Sequence, residues 1–173
     1  MKKILFLASS FVFLTLAYAE PVLPKACTLL TVKEVTAWLG TGFSPQEKSD
    51  KAPITKPGSN QVTGTTPSSN CQYVSETVGF NLEIVAFPSV AIAQEQAKAR
   101  QEVMQFSVPN LKILALNSPS AGAFVLNMNM PMPTTILGFT KKNIFAVITV
   151  FQKDKNSLEV AKKAAKLVFN RLP

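Results

Sequence analysis

The sequence predicts an α+β domain: an antiparallel β-sheet with helices packed mainly on one face, held by one disulfide. Three observations lead there. Strand-like segments come in groups, in the order helix, strands, helix, strands, helix, which favours an antiparallel sheet over a one-for-one alternation around a parallel one. Three segments place apolar residues at helical spacing next to recognisable start or stop signals. Two cysteines, Cys27 and Cys71, allow a single pairing.

The chain of 173 residues opens with Lys2 and Lys3, then an apolar run from Ile4 to Leu16, then Ala17-Tyr18-Ala19. That is the layout of a secretory signal peptide over residues 1–19, cleaved after Ala19. The apolar run is shorter than the ~18–20 residues that span a bilayer, and no lipobox precedes Cys27. The expectation is a periplasmic or secreted bacterial protein, one domain over residues 20–173, with no transmembrane segment after cleavage. In such a compartment Cys27 and Cys71 form a structural staple.

Thr31 and Glu34 make a capping box that starts a helix on "TVKEVTAWLG", with Val35, Trp38 and Leu39 as its apolar stripe and Gly40 at its end. Residues 41–70 hold four prolines, three glycines and many Ser and Thr, and read as a long loop with one short strand near 61–63. "CQYVSE" and "FNLEIVAF" alternate as strands, the second with Phe80, Leu82, Ile84 and Ala86 on one face. Pro88-Ser89 begins a helix to about Phe106, with Ile92, Ala93, Ala97, Val103 and Met104 at helical spacing. Strands follow at "LKILAL", "AFVLNM", "TTILGF" and "IFAVITVF", the last two joined by a hairpin at "TKKN". A final helix is capped at Asn156, carries the stripe Leu158, Ala161, Ala165, Val168 and Leu172, and turns Lys162, Lys163, Lys166 and Arg171 outward.

The segment "ACTLLTVKEVTAWLG" resembles the start of a family of exported bacterial domains of unknown function, common among actinobacterial lipoproteins. Cys71-Gln72-Tyr73 is similar to that family's Cys-x-aromatic strand, Gly122-Ala123-Phe124 to its glycine turn, and "AKKAAKLVFNRL" to its closing helix. The resemblance implies the fold and the disulfide. It implies no catalytic residues, because the family has no agreed activity. The sequence departs from it in lacking a lipid-bearing cysteine, in reading "PSAG" where relatives carry an acid, and in the longer "NMNMPMPTT".

Composition limits the chemistry. There is no histidine, so the usual general base and imidazole ligand are absent. Glu83 sits on the polar side of a strand, Glu95 and Glu102 on a solvated helix face, and Ser44 and Lys48 in the 41–70 segment; none forms a catalytic constellation, and no cofactor motif is present. The basic excess lies at the end, where residues from Lys141 onward carry eight basic and two acidic side chains. It reads as a solvated helix face, with anionic lipid, envelope polymer or an acidic protein as the alternatives. A nucleic-acid partner does not fit an exported chain without a reading motif.

What remains is Met128, Met130 and Met132. Thioethers suit Cu(I) or Ag(I), so the three form a candidate metal loop. Pro131 and Pro133 favour extended geometry, in which residues two apart lie about 6.6 Å apart along a strand, too far to share one ion without a further bend. A second reading makes them an apolar contact loop with Phe124 and Leu126. The plainest reading has Met128 continuing a core face while Met130 and Met132 cover a sheet edge. The function expected from the sequence is a non-enzymatic exported domain that binds a protein, an envelope component or a small apolar ligand, with Cu(I)/Ag(I) binding as the alternative.

Overall fold

The computed structural model describes residues 22–173 apart from 41, 57, 60, 76, 108–111, 117, 121–122, 129–132 and 153–155. The expected signal peptide, residues 1–19, lies outside the described residues, as do Met130 and Met132. No helix among the described residues is long and apolar enough to cross a membrane.

The chain begins with a short helix α1 (Ala26–Leu29) and then α2 (Val32–Leu39). The capping box is formed: the Thr31 hydroxyl accepts from the Glu34 amide at 3.3 Å, and the Glu34 carboxylate accepts from the Thr31 amide at 2.8 Å. Gly40, at φ 99°, ends α2 in a conformation that a side chain would strain. Cys27 of α1 is disulfide-bonded to Cys71 in β2 (Val62–Val74). The Ala26 amide donates to Ser69 Oγ two residues along the same strand, so α1 is fastened covalently and by hydrogen bond.

Residues 41–70 are not a loop. They form β1 (Ser44–Thr55) and the first part of β2, a long antiparallel hairpin. Its prolines are placed where a strand tolerates them. Pro45 and Pro53 lie on β1, which is the sheet edge, and Pro67 comes one residue before β2 acquires its second neighbour at Ser68. No hydrophobic alternation marked β1, because its first eight residues are exposed on both faces.

Three further segments complete the first half: β3 (Gly79–Ala86), α3 (Val90–Ser107) and β4 (Lys112–Leu116). Then come β5 (Ala123–Met128), β6 (Thr134–Lys141), β7 (Ile144–Phe151) and α4 (Ser157–Arg171). The seven strands run in the order β1-β2-β3-β7-β6-β5-β4, and every adjacent pair is antiparallel. Two meanders therefore meet at the β3–β7 seam, and α3 carries the chain from β3 to the far edge. The β6–β7 turn is the expected one, with Lys142 at φ 51°.

Each central strand has two buried faces. On one, Leu82, Ile84, Ile148, Leu137 and Phe139 pack against Val35 of α2 and Ala161, Ala165 and Val168 of α4. On the other, Val85, Phe145, Val147, Phe124, Leu126 and Ile136 pack against Ala93 and Ala97 of α3. Three helices thus share one face and α3 lies alone on the opposite one. Val103, expected on the apolar stripe of α3, is 57 % exposed instead.

The first and last helices are joined by charge. Arg171 donates to Glu34 through both terminal nitrogens, at 2.9 and 2.6 Å, and to the Leu29 carbonyl at 2.8 Å. Those Arg171 bonds, with smaller help from the Thr31 amide and hydroxyl, outweigh burial and hold the Glu34 carboxyl down at about 2. Tyr73 donates its hydroxyl to the Leu30 carbonyl, and burial pushes that phenol up to about 12.

Candidate functional site

The sheet face that carries α3 is only partly covered. A helix of this kind is about 10–12 Å across and shields two or three strands spaced ~4.8 Å apart. Here α3 packs on β6 and β7 and leaves the β1–β2 hairpin open.

The hairpin overhangs the sheet. Residues 51–55 and 62–67 pair only with each other, beyond the point where β2 leaves β3. This arm is hydrogen-bonded to α3 through the Gln96 side chain. Gln96 Oε1 accepts from the Thr55 amide at 3.2 Å and the Thr55 hydroxyl at 3.1 Å, and Gln96 Nε2 donates to the Thr55 carbonyl at 2.6 Å. The Gln96 amide therefore pairs with Thr55 as a neighbouring strand would, and it is 9 % exposed. Ala52 and Ile54 of the arm pack against the apolar cluster beneath α3, and Thr66 donates its hydroxyl to the Ala86 carbonyl.

Between arm and helix lies a cleft of about 510 Å³. Its floor is Val85, Phe87 and Phe145; Pro53 and Thr55 form one wall, Gln96, Ala99 and Val103 the other. At the mouth the Arg100 guanidinium meets the Glu83 carboxylate at 2.7 Å. The volume falls within the range of small-ligand sites, and an apolar floor with a few oriented polar groups is their usual make-up. Beyond Glu83 the same face continues as a polar groove of about 520 Å³ over β1 and β2.

The sequence candidates fall mostly elsewhere. The Cys27–Cys71 disulfide is present. Phe124 and Leu126, proposed as part of an exposed contact loop, are instead 2 % and 0 % exposed. They are core because their strand faces α3, and the Phe124 ring lies over Gly138 so closely that a Cβ there would sit 2.4 Å from it. Met128 ends β5, its backbone paired with Thr134; its side chain, with Met130 and Met132, is outside the described residues, so the metal-loop reading is not joined to any described ligand. Ser44 and Lys48 share one face of β1 but are two pleat repeats apart, about 13 Å, too far for proton transfer. Glu95 and Glu102 are exposed, the latter 3.9 Å from Lys98, but Glu102 and Glu83 both line the cleft.

Of the C-terminal basic residues, Lys141 donates to the carbonyls of Phe169 and Leu172 and caps α4. Lys162, Lys163 and Lys166 are exposed, with Lys162 3.0 Å from Glu159. Gln96, Arg100 and the hairpin arm were missed. The arm had a signal in the turn-forming Pro57-Gly58 ahead of the Thr-rich "QVTGTT"; nothing local marks Arg100 as the partner of Glu83, 17 residues away.

No family model matches the chain, and no curated protein matches it. Among solved structures the chain is similar to the extracellular domain of PknH from Mycobacterium tuberculosis, at 15 % identity and a TM-score of 0.53, over 84 % of this chain and 95 % of that one. A GTP-binding regulator from Thermotoga maritima aligns over 86 % of this chain and 87 % of its own at 11 % identity, with a TM-score of 0.46. The first of these likenesses is one of fold.

Proposed function

We propose that this chain is a non-enzymatic, exported binding domain that takes its ligand in the cleft between the β1–β2 arm and α3. The observation that carries the reading is that cleft: about 510 Å³, floored by Val85, Phe87 and Phe145 and walled by a hairpin that Gln96 bonds to α3. A pre-formed concave apolar site with few polar groups is the default binding site of a small domain. Of the two carboxylates among its described lining residues, Glu83 is paired with Arg100 and Glu102 lies 3.9 Å from Lys98, and the Thr55 hydroxyl is bonded to the Gln96 amide, which is not a base. Export is supported by the disulfide, by the signal-peptide layout of residues 1–19, and by the resemblance to exported domains. The extracellular placement named for the PknH domain agrees with it.

The test uses the isotope-labelled chain from Glu20 onward, titrated with lipid, polysaccharide and soluble-peptide fractions of the producing cell's envelope. Backbone amide shifts should move at Val85, Ala99 and Arg100, and Ala99→Phe, which fills the cleft, should abolish them. Silence of all fractions at those residues would remove the cleft from consideration. So would turnover in a hydrolase panel that a cleft mutation eliminates.

A further inference from the structure

The cleft is one end of a longer track. The polar groove shares Ala52, Pro53 and Glu83 with it. At its other end the groove shares Gln72 with a hollow of about 260 Å³ formed by Val74, Val78, Gly79, Asn81 and Phe151. Strand register explains the continuity. Gln46 pairs with Gln72 and Gln72 with Asn81; Lys48 pairs with Asn70 and Asn70 with Glu83; Asp50 pairs with Ser68. Alternation puts all eight of these side chains on the α3 side of the sheet, in transverse rows beside α3, which meets Glu83 through Arg100. From the Gln72 row to the Thr66 row is six residues, about 20 Å of strand.

The chemistry of these rows is specific. They consist of four side-chain amides, one hydroxyl and three charges, with no apolar side chain among them. On the α3 side both cations are already matched: Lys48 is 3.0 Å from Asp50, and Arg100 is 2.7 Å from Glu83; Lys51, which also borders the groove, projects from the other face of β1. A strongly anionic or cationic ligand would have to displace one of these pairs, so the track suits a neutral partner with closely spaced donors and acceptors. At the hollow, Asn81 Oδ1 is buried without a hydrogen-bond partner among the described residues, next to Phe151, which is 37 % exposed. A buried carbonyl oxygen with nothing to accept from is costly, and a ligand hydroxyl would satisfy it. An aromatic ring beside amides offers an apolar platform with polar edges.

We infer that the track is a glycan-binding groove. A neutral saccharide strand lies along β1–β3, its hydroxyls bonded by the amide rows, one sugar face against Phe151 and the far end in the cleft beside Arg100. The inference rests on the binding reading proposed above and names its ligand class. A peptide adding as a strand would take the free edge of β1, which two prolines, two lysines and a bulge protect, and not these groups, which project from the sheet's face.

The decisive experiment is calorimetry and amide-shift mapping of the chain from Glu20 onward with size-fractionated neutral oligosaccharides, released by mild hydrolysis from the producing cell's envelope polysaccharide. Shifts should appear at Asn70, Gln72 and Asn81 as well as at the cleft, and affinity should rise with chain length until the ~20 Å track is filled. Asn70→Ala and Gln72→Ala should each weaken binding about tenfold by removing one or two ligand hydrogen bonds. If Asn70→Ala unfolds, Gln46→Ala on the exposed edge strand serves instead. Oligosaccharides that leave the rows unmoved, or bind with no dependence on length, would overturn the glycan assignment, as would a neutral peptide that moves the rows where saccharides do not. Should the lipid or peptide fraction still give Ala99→Phe-sensitive shifts at the cleft, the glycan inference fails alone and the binding reading stands.

Discussion

Replacing Glu34 with glutamine tests how much of the fold depends on the charge joining α2 to α4. Glutamine keeps an oxygen for the Thr31 amide and the N-terminal turn, so the change removes charge more than shape. The Glu34 carboxyl is held at about 2 against an ordinary 4.5, chiefly by Arg171. Taken whole, that depression corresponds to a ceiling of about 3 kcal/mol. The Glu34 side chain is 26 % exposed and Arg171 38 %, so solvent screening reduces the expected effect to about 1–2 kcal/mol. The sign follows from linkage. A folded-state value below the unfolded one gives stability that is complete above about pH 4.5 and disappears as the pH falls toward about 2. Urea unfolding of wild type and Glu34→Gln between pH 2 and 7 should therefore show a gap that is widest near neutrality and closes in acid. Asp50, also lowered by Lys48, titrates in both proteins and cancels from the difference. A gap that stays constant from pH 7 to pH 2 would show that Glu34 acts through shape or hydrogen bonding, not charge.

Three further outcomes are expected. Replacing Cys27 and Cys71 together by serine should lower stability by about 4 kcal/mol, as expected for opening a loop of 44 residues, and intact-mass measurement without reductant should find the native chain two hydrogens lighter than its dithiol. Gly138→Ala should destabilise by about 1–3 kcal/mol, because its Cβ would stand 2.4 Å from the Phe124 ring; adding Phe124→Leu should recover part of the loss, and a strictly additive double mutant would contradict the clash. Gln96→Leu should raise hydrogen exchange at the Thr55 amide about tenfold or more by removing the bonds that hold the arm, while the β3–β7 amides stay protected; equal acceleration throughout would make Gln96 a global support instead.

Much of the fold was legible because core elements announce themselves. The capping box at Thr31 and Glu34, the alternation of Phe80, Leu82, Ile84 and Ala86, and the apolar stripe of the last helix all report burial, and burial follows periodicity. The second covered face was not among the expectations, although one strand carries a sign of it. "IFAVITVF" is apolar at nearly every position, which suits a strand with helices on both sides, and seven of its eight residues are buried or half-buried. Phe124 and Leu126, which the contact-loop reading placed beside the methionines, are core because both sides of β5 are covered. Glu83 and Arg100 were out of reach because their meeting depends on how α3 crosses the sheet, which no local spacing encodes.

The hairpin failed to look like strands for the reason that makes it useful. A β-strand shows itself in sequence when one face must be apolar to pack, and β1 packs neither face over most of its length. Its hydrogen bonds to β2 satisfy the backbone, and its side chains are left to solvent: Gln46, Lys48 and Asp50 on one side, Glu47 and Ser49 on the other. An edge strand this long would invite pairing with other chains, and it carries the usual defences, two prolines, two lysines and a bulge at Ile54–Thr55. Such defences protect a strand that the core does not require. With α3 packed on β6 and β7, β1 adds apolar burial through Ala52 and Ile54 alone among its described residues, and the rest of its α3-side face is polar and open to the ligand proposed above. The composition that disguised residues 41–70 as a loop is the same composition that leaves a row of amides open beside a cleft.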